Sequence, residues 1–259
     1  MIEANTAQSL DWEVESLRFT AFVHPSAQVK PQGWWASLTG QDPENRAEKP
    51  SRGEFSEWGN YQKGALSLVV QPGRVDWFLA QVLPTESNDL DIPQSLGDFS
   101  PTAWTFVELM TKWLPACPLT IRLALGGVLN RRVASKSDGY KELARFMNFV
   151  QLDAASSDFF YQINRPRMMN FDQKLLINRL SKWSVNSAQM MRVAVQQAPA
   201  VSGAAALYSP ADSLVFNCRL ELDISTPAQQ DEIPAQQLPP ILHGLVKLGE
   251  EISIKGDIP

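Results

Sequence analysis

An α+β fold, largely antiparallel sheet covered by amphipathic helices, is what this sequence predicts, and three observations carry it. From Val215 to Ile224, Phe216, Cys218, Leu220, Leu222 and Ile224 alternate with Asn217, Arg219, Glu221 and Asp223. That two-residue period packs one face and wets the other, as in an antiparallel sheet. Three other segments carry apolar stripes at helical spacing, and each stripe has a sheet to cover.

The first strand is read where Leu17, Phe19, Ala21 and Val23 alternate with Ser16, Arg18, Thr20, Phe22 and His24 and stop at Pro25. Leu66 to Val70 and Val75 to Val82 flank Pro72-Gly73, a turn with proline second and glycine third. An L-proline turn of this kind splays its strands, so a hairpin looser than a two-residue one is expected. Leu119 to Val133, Phe159 to Asn164 and a long irregular run from about Leu176 to Val195 read as further strands. The first helix is expected to start at Ser100 as N-cap with Pro101 behind it, to bury Ala103, Phe106, Val107, Met110, Trp113 and Leu114, and to stop at Pro115. The second is read over Asp138 to Leu152 on Tyr140, Leu143, Ala144, Met147 and Val150. The third follows Pro239-Pro240, uses Ile241, Leu242, Leu245, Val246 and Leu248, and is expected to end at Gly249.

This order suggests two similar sub-domains, an N-terminal half over 1–134 and a C-terminal half over 135–259, although no residue-level repeat is present. Two long polar connections, Gln41 to Lys63 and Pro84 to Ser100, interrupt the pattern. Connections of that length in a compact domain belong to binding loops or local disorder.

With 259 residues, 44% hydrophobic and 20% charged, the chain can bury a sizeable core, and collagen-like or wholly disordered classes are excluded. Cys117 and Cys218 are too few for a disulfide framework and read as reduced thiols. Met1 to Asp11 lacks the basic and apolar regions of a secretory signal, and no apolar run approaches the ~20 residues that span a bilayer, so a cytoplasmic location without membrane is expected.

Charge is uneven along the chain. Lys112 to Arg192 holds 13 Lys or Arg against five acids, a net +8, while the remainder carries −13 of the total −5. A basic middle between acidic ends can engage a protein partner, phosphate backbones, or another copy of the chain in opposite register. The same cations could equally line a solvated outer face. The candidate binding residues are Arg131, Arg132, Lys136, Arg165, Arg167, Arg179 and Lys182, with Trp34, Trp35 and Trp58 bracketing the first polar connection as anchors or as packed core. Nucleic acid ranks below a protein partner, because the whole chain is acidic, with a pI near 5.2.

Catalytic signatures are scarce. Gly59 to Gly64 has the glycine spacing of a phosphate loop but continues Ala65-Leu66, without the lysine and hydroxyl that grip phosphate and magnesium. Gly126-Gly127 lies in a strand pattern and reads as a bulge or kink. His24 and His243 are the only histidines, and no zinc or nucleophile-elbow spacing is present. Histidine scarcity leaves one enzyme class open, a metal-dependent nuclease, for which Asp158 and Asp172 with Lys174 form a loose carboxylate and lysine set. No cofactor is implied.

Leu220-Glu221-Leu222-Asp223-Ile224-Ser225-Thr226, with its polar linker and the helix from Ile241, resembles the closing strand and terminal helix of a sporadically distributed, uncharacterised bacterial family, and the strand around Ile121 to Asn130 is similar in placement to that family's central strand. The family pattern has an acidic residue where this chain has Ser225 and an aromatic where it has Leu123. The resemblance implies an accessory protein of mobile or defence-associated loci and brings no catalytic residues. The expected function is a non-enzymatic interaction or adaptor subunit of a larger complex, in an antiviral defence or mobile-element system, acting on a protein partner or as a homo-oligomer. The alternative is a metal-dependent nuclease or nucleic-acid-binding subunit using the basic 112–192 segment.

Overall fold

The computed structural model describes residues 12–82, 94–153, 155–171, 174–195, 206–228 and 231–259. Ten strands follow in chain order: β1 (Glu13–Val23), β2 (Asn45–Lys49), β3 (Glu54–Tyr61), β4 (Gly64–Gln71), β5 (Arg74–Gln81), β6 (Thr120–Val133), β7 (Phe160–Asn164), β8 (Arg167–Asn170), β9 (Lys174–Val195) and β10 (Ala206–Ser225). Four helices accompany them: α1 (Trp34–Thr39), α2 (Phe99–Trp113), α3 (Lys136–Ala144) and α4 (Leu238–Lys255). The fold class is α+β, as the alternation and the helical stripes predict.

The strands lie in the order β2-β3-β4-β5-β1-β6-β10-β9-β7, with β8 paired separately on β9. Every pairing is antiparallel. Read outward from the central β1–β6 pair, the two sides match: β1-β5-β4-β3 on one and β6-β10-β9-β7 on the other. Each side runs strand, helix, three strands, helix, with β2 and β8 as additions. The second topological unit therefore begins with β6, so a division at 134/135 falls after its first strand, and both units share one sheet.

Strand alternation decides which face the helices take. Leu17, Phe19, Ala21 and Val23 of β1 are buried on the side where α2 and α4 pack, while Ser16, Arg18, Thr20 and Phe22 point the other way. The covered side holds two aromatic clusters, one in each unit. Trp77 stacks on Trp35 and meets Trp113 edge-on at 6.0 Å, with Phe19 and Trp34 against Trp113. In the other unit Phe146 and Trp183 pack with Trp12, which reaches them from just ahead of β1, all within 5.9 Å of one another. Burying each such ring contributes on the order of 2–3 kcal/mol.

Several boundaries differ from the sequence expectation for local reasons. Helix α2 starts at Phe99 behind Asp98, with Pro101 still inside its first turn. The second helix starts earlier than expected, at Lys136, because the Ser135 hydroxyl accepts the Asp138 N–H, and it is shorter because the chain leaves the helix after Ala144. Helix α4 runs through Gly249, whose missing side chain lets Ile224 and Phe99 approach to van der Waals range. The Pro72-Gly73 turn is a tight two-residue hairpin after all, with Gln71 paired to Arg74 and Gly73 at φ 75°. Gly126-Gly127 is a regular part of β6; the register shifts of the β1–β6 pair fall elsewhere.

Candidate interaction surface

The basic residues singled out in the sequence do not form one free patch. Arg131 and Arg132 are neighbours on β6, so they face opposite sides of the sheet. Arg131 is buried between the rings of Trp12 and Phe146, at 4.9 and 5.1 Å, and donates to Glu142 of α3 at 2.6 Å. Arg132 is exposed. Lys136 lies 4.0 Å from Asp158. Arg165 pairs with Asp257 and Arg167 with Glu251, both at the C-terminal end of α4. Arg179 is 2% exposed and reaches the same Glu251 at 4.0 Å. Lys182 pairs with Glu221 at 3.0 Å, on the side of the sheet without helices.

The charge segregation along the chain is thus consumed largely within the chain, where acids of α3, α4 and β10 neutralise cations of the basic segment. Burial pushes the Asp257 carboxyl up, but hydrogen bonds from Arg165 and Tyr161, with the nearby guanidinium charge, outweigh that and hold it below the ordinary carboxylate range.

The tryptophans divide similarly. Trp35 is fully buried and Trp34 is half-buried against Trp113, both under the helix layer. Trp58 is 39% exposed on the opposite face, opposite Ser67 in register. The three do not converge.

The first polar connection, Gln41 to Lys63, contains β2 and β3. Sequence reading misses β3 because its inward positions are Phe55, Glu57 and Gly59, of which only one is a large apolar residue. Glu57 is fully buried and paired with Arg46 at 2.5 Å. Part of the second connection, 83–93, lies outside the described residues.

For the nuclease alternative, the Asp158 side chain is 99% exposed, Lys174 is exposed, and Asp172 lies outside the described residues. Among the described residues no three His, Cys, Asp or Glu side chains gather as a metal site. His24 bonds Ser26, and His243 meets Trp104 edge-on. Burial pushes both thiols, Cys117 and Cys218, up to about 12.

Several depressions mark the described surface. One, of about 690 Å³, lies between the start of α2 and the end of α4. Its polar lining is already engaged: Arg131 with Glu142, and Glu250 with the Ser100 hydroxyl and the Trp104 indole at 2.9 Å. A second, about 440 Å³, lies between α2 and the β3–β4 turn. A third, about 300 Å³, is a trough on the helix-free face, where Arg18 crosses Gly126 between Phe78 and Asp223. Its charges too are paired, Lys182 with Glu221 and, at 3.9 Å, Arg18 with Asp223.

Backbone, rather than side chains, supplies the feature that the pairing leaves open. β9 is flanked by β7 only over Leu180 to Ser184 and by β8 only over Lys174 to Ile177, yet it pairs with β10 as far as Val195. Among the described residues no strand lies along the outer edge of β9 from Val185 to Val195. The other edges carry features that discourage further pairing. β2 is five residues long, fully exposed and carries Arg46, Glu48 and Lys49. β7 and β8 are five and four residues long. The outer run of β10 contains Pro210, which lacks an N–H, and a register shift between Pro210 and Leu214. The β9 stretch has no proline, and Arg192 is its one charged residue; the register shift of the β9–β10 ladder falls between its Gln189 and Met191.

The fold is an α+β sheet in which, among the described residues, the outer edge of β9 from Val185 to Val195 is the longest stretch that no strand covers. Comparison of the chain with protein-family models, with curated proteins and with solved structures finds no match. Among the described residues no helix is long and apolar enough to cross a membrane.

Proposed function

We propose that this protein is a non-enzymatic interaction subunit that joins a larger complex by accepting a partner strand along the outer edge of β9. What supports the reading is the contrast between edges: the others are short or carry proline, and among the described residues no strand covers eleven consecutive residues of β9. An isolated two-stranded ribbon is marginally stable in water, so the β9–β10 extension gains most from a third strand. Main-chain hydrogen bonds along such an edge supply affinity, and alternate side chains supply specificity.

The reading replaces the electrostatic docking patch, because most of the cations that would have formed it already have carboxylate partners. The test is capture from the native host by the tagged wild-type chain and by a Gln189→Lys/Met191→Lys variant, which imports the charged-edge device. The expected result is a partner held by the wild type and lost by the variant, with unchanged circular dichroism and melting. Capture of the same partner by both chains rejects the reading.

A further inference from the structure

We infer that a phosphate group binds where Arg165, Arg167 and Arg179 converge against the C-terminal end of α4. The site is separate from the β9 edge, and neither reading depends on the other.

Strand pairing brings the three guanidinium groups together. Arg165 precedes β8 and Arg167 opens it; the Arg165 N–H donates to the Arg179 carbonyl at 3.2 Å, and Arg167 lies opposite Ile177, two residues along β9. The end of α4 then lays two carboxylates over them. Arg165 pairs with Asp257, while Arg167 and Arg179 approach the same Glu251 oxygen.

Arg179 is the group that points to a ligand. It is 2% exposed and keeps its charge, as guanidinium groups do in proteins, yet its Nε and Nη1 are buried with no hydrogen-bond partner among the described residues. Its ion pair with Glu251, at 4.0 Å, is longer than a hydrogen bond. Arg122 and Arg131 leave only Nε in that state, and each donates from another nitrogen, to Ser225 at 2.8 Å and to Glu142 at 2.6 Å. A buried charged donor without its partner is costly to the fold. Burial, with the Arg167 charge beside it, pulls the Arg179 guanidinium below its ordinary value, as expected of a cation short of negative charge.

The charge balance says what would complete the cluster. Lys255 also reaches Glu251, at 3.3 Å, so four cations share Glu251 and Asp257, and the Tyr161 hydroxyl takes one Asp257 oxygen at 2.6 Å. The Pro259 carbonyl accepts from Arg167 at 3.0 Å, and the end of α4 offsets roughly half a charge. An excess of positive charge remains. Water would satisfy the N–H groups but not the charge, whereas a phosphate group supplies up to two negative charges and several acceptor oxygens that match guanidinium forks. The Arg165 and Arg167 side chains are 29% and 30% exposed, which leaves an approach from solvent.

Equilibrium dialysis of the full chain against inorganic phosphate, at fixed ionic strength and near-neutral pH, tests the site. The expected result is one phosphate per chain, half-saturated below about 10 mM. Arg179→Met is expected to bind roughly tenfold more weakly or worse, and Arg167→Lys, which keeps the charge at a part-exposed position but loses the fork, about threefold or more. Circular dichroism checks that each variant is folded; should Arg179→Met not fold, Arg167→Lys decides. Glycerol 1-phosphate in parallel separates the sources: tighter binding than inorganic phosphate assigns the site to a phosphomonoester, equal or weaker binding to the free ion. No saturation of the wild type by about 10 mM overturns the inference. Unchanged binding by a folded variant marks an adventitious ion only and overturns it equally.

Discussion

Replacing Arg131 by alanine removes a guanidinium whose side chain is 10% exposed and leaves Glu142, 12% exposed, without its 2.6 Å partner. Breaking a buried pair by deleting one member costs about 3–5 kcal/mol, and the lost contacts with the Trp12 and Phe146 rings add to it. Arg145 stays 3.1 Å from Glu142 and offsets part of that loss, although it is 70% exposed and therefore weak. The balance is about 3 kcal/mol, or roughly 6–12 °C in melting temperature for a chain of this size. Arg132, next in sequence but exposed on the other face, supplies the control: Arg132→Ala is expected to stay within about 0.5 kcal/mol of wild type. Thermal melts of the two variants, followed by circular dichroism, decide the matter. Equal melting of Arg131→Ala and Arg132→Ala refutes the placement of Arg131 inside the fold. Charge reversal at Arg131, Arg165 or Arg167 is by the same reasoning a stability perturbation before it is a binding one.

Asp257, whose side chain is 2% exposed, is held below its ordinary value, so its stabilisation is complete above the unfolded carboxyl value of about 3.9 and disappears as pH falls through the lowered folded one. Asp257→Asn is expected to cost about 2–4 kcal/mol near neutrality and to flatten the acid limb of stability, measured by urea titration between pH 3 and 7. Gly256 follows α4 at φ 78°, and a Cβ there would collide with the Phe146 carbonyl, so Gly256→Ala is expected to lower stability by more than about 2 kcal/mol in the same titration. Cys218 is fully buried and Cys117 half-buried, and burial pushes both thiols up to about 12, so iodoacetamide at pH 8 is expected to label Cys218 only after denaturant is added and Cys117 more slowly than in the unfolded chain; rapid labelling of Cys218 in the native chain contradicts its burial.

Where side chains alternate cleanly, the fold is legible without coordinates. β1, β4, β5, β6 and β10 all follow from apolar positions two residues apart, and α2 and α4 from stripes whose residues are now buried. β3 escapes because a buried Glu57 and Gly59 break its apolar row, and their acceptability depends on Arg46 one strand away. The matched units were suggested by element order, but their seam depends on the β1–β6 pairing, a long-range contact with no local signature. The basic segment was legible as a count and misleading as a surface. Alternation sends Arg131 and Arg132 to opposite faces, and the acids that neutralise Arg165, Arg167 and Arg179 lie at the far end of the sequence. The edge that no described strand covers is readable only once the neighbours of each strand are known, since the same eleven residues would be unremarkable in the middle of a sheet.

Amide hydrogen exchange along Val185 to Val195, followed by mass spectrometry with and without the captured host partner, addresses the open edge most directly. Protection of this stretch in the complex, absent when the Gln189→Lys/Met191→Lys variant meets the same partner, is the expected result. Exchange in this stretch that the partner leaves unchanged contradicts it.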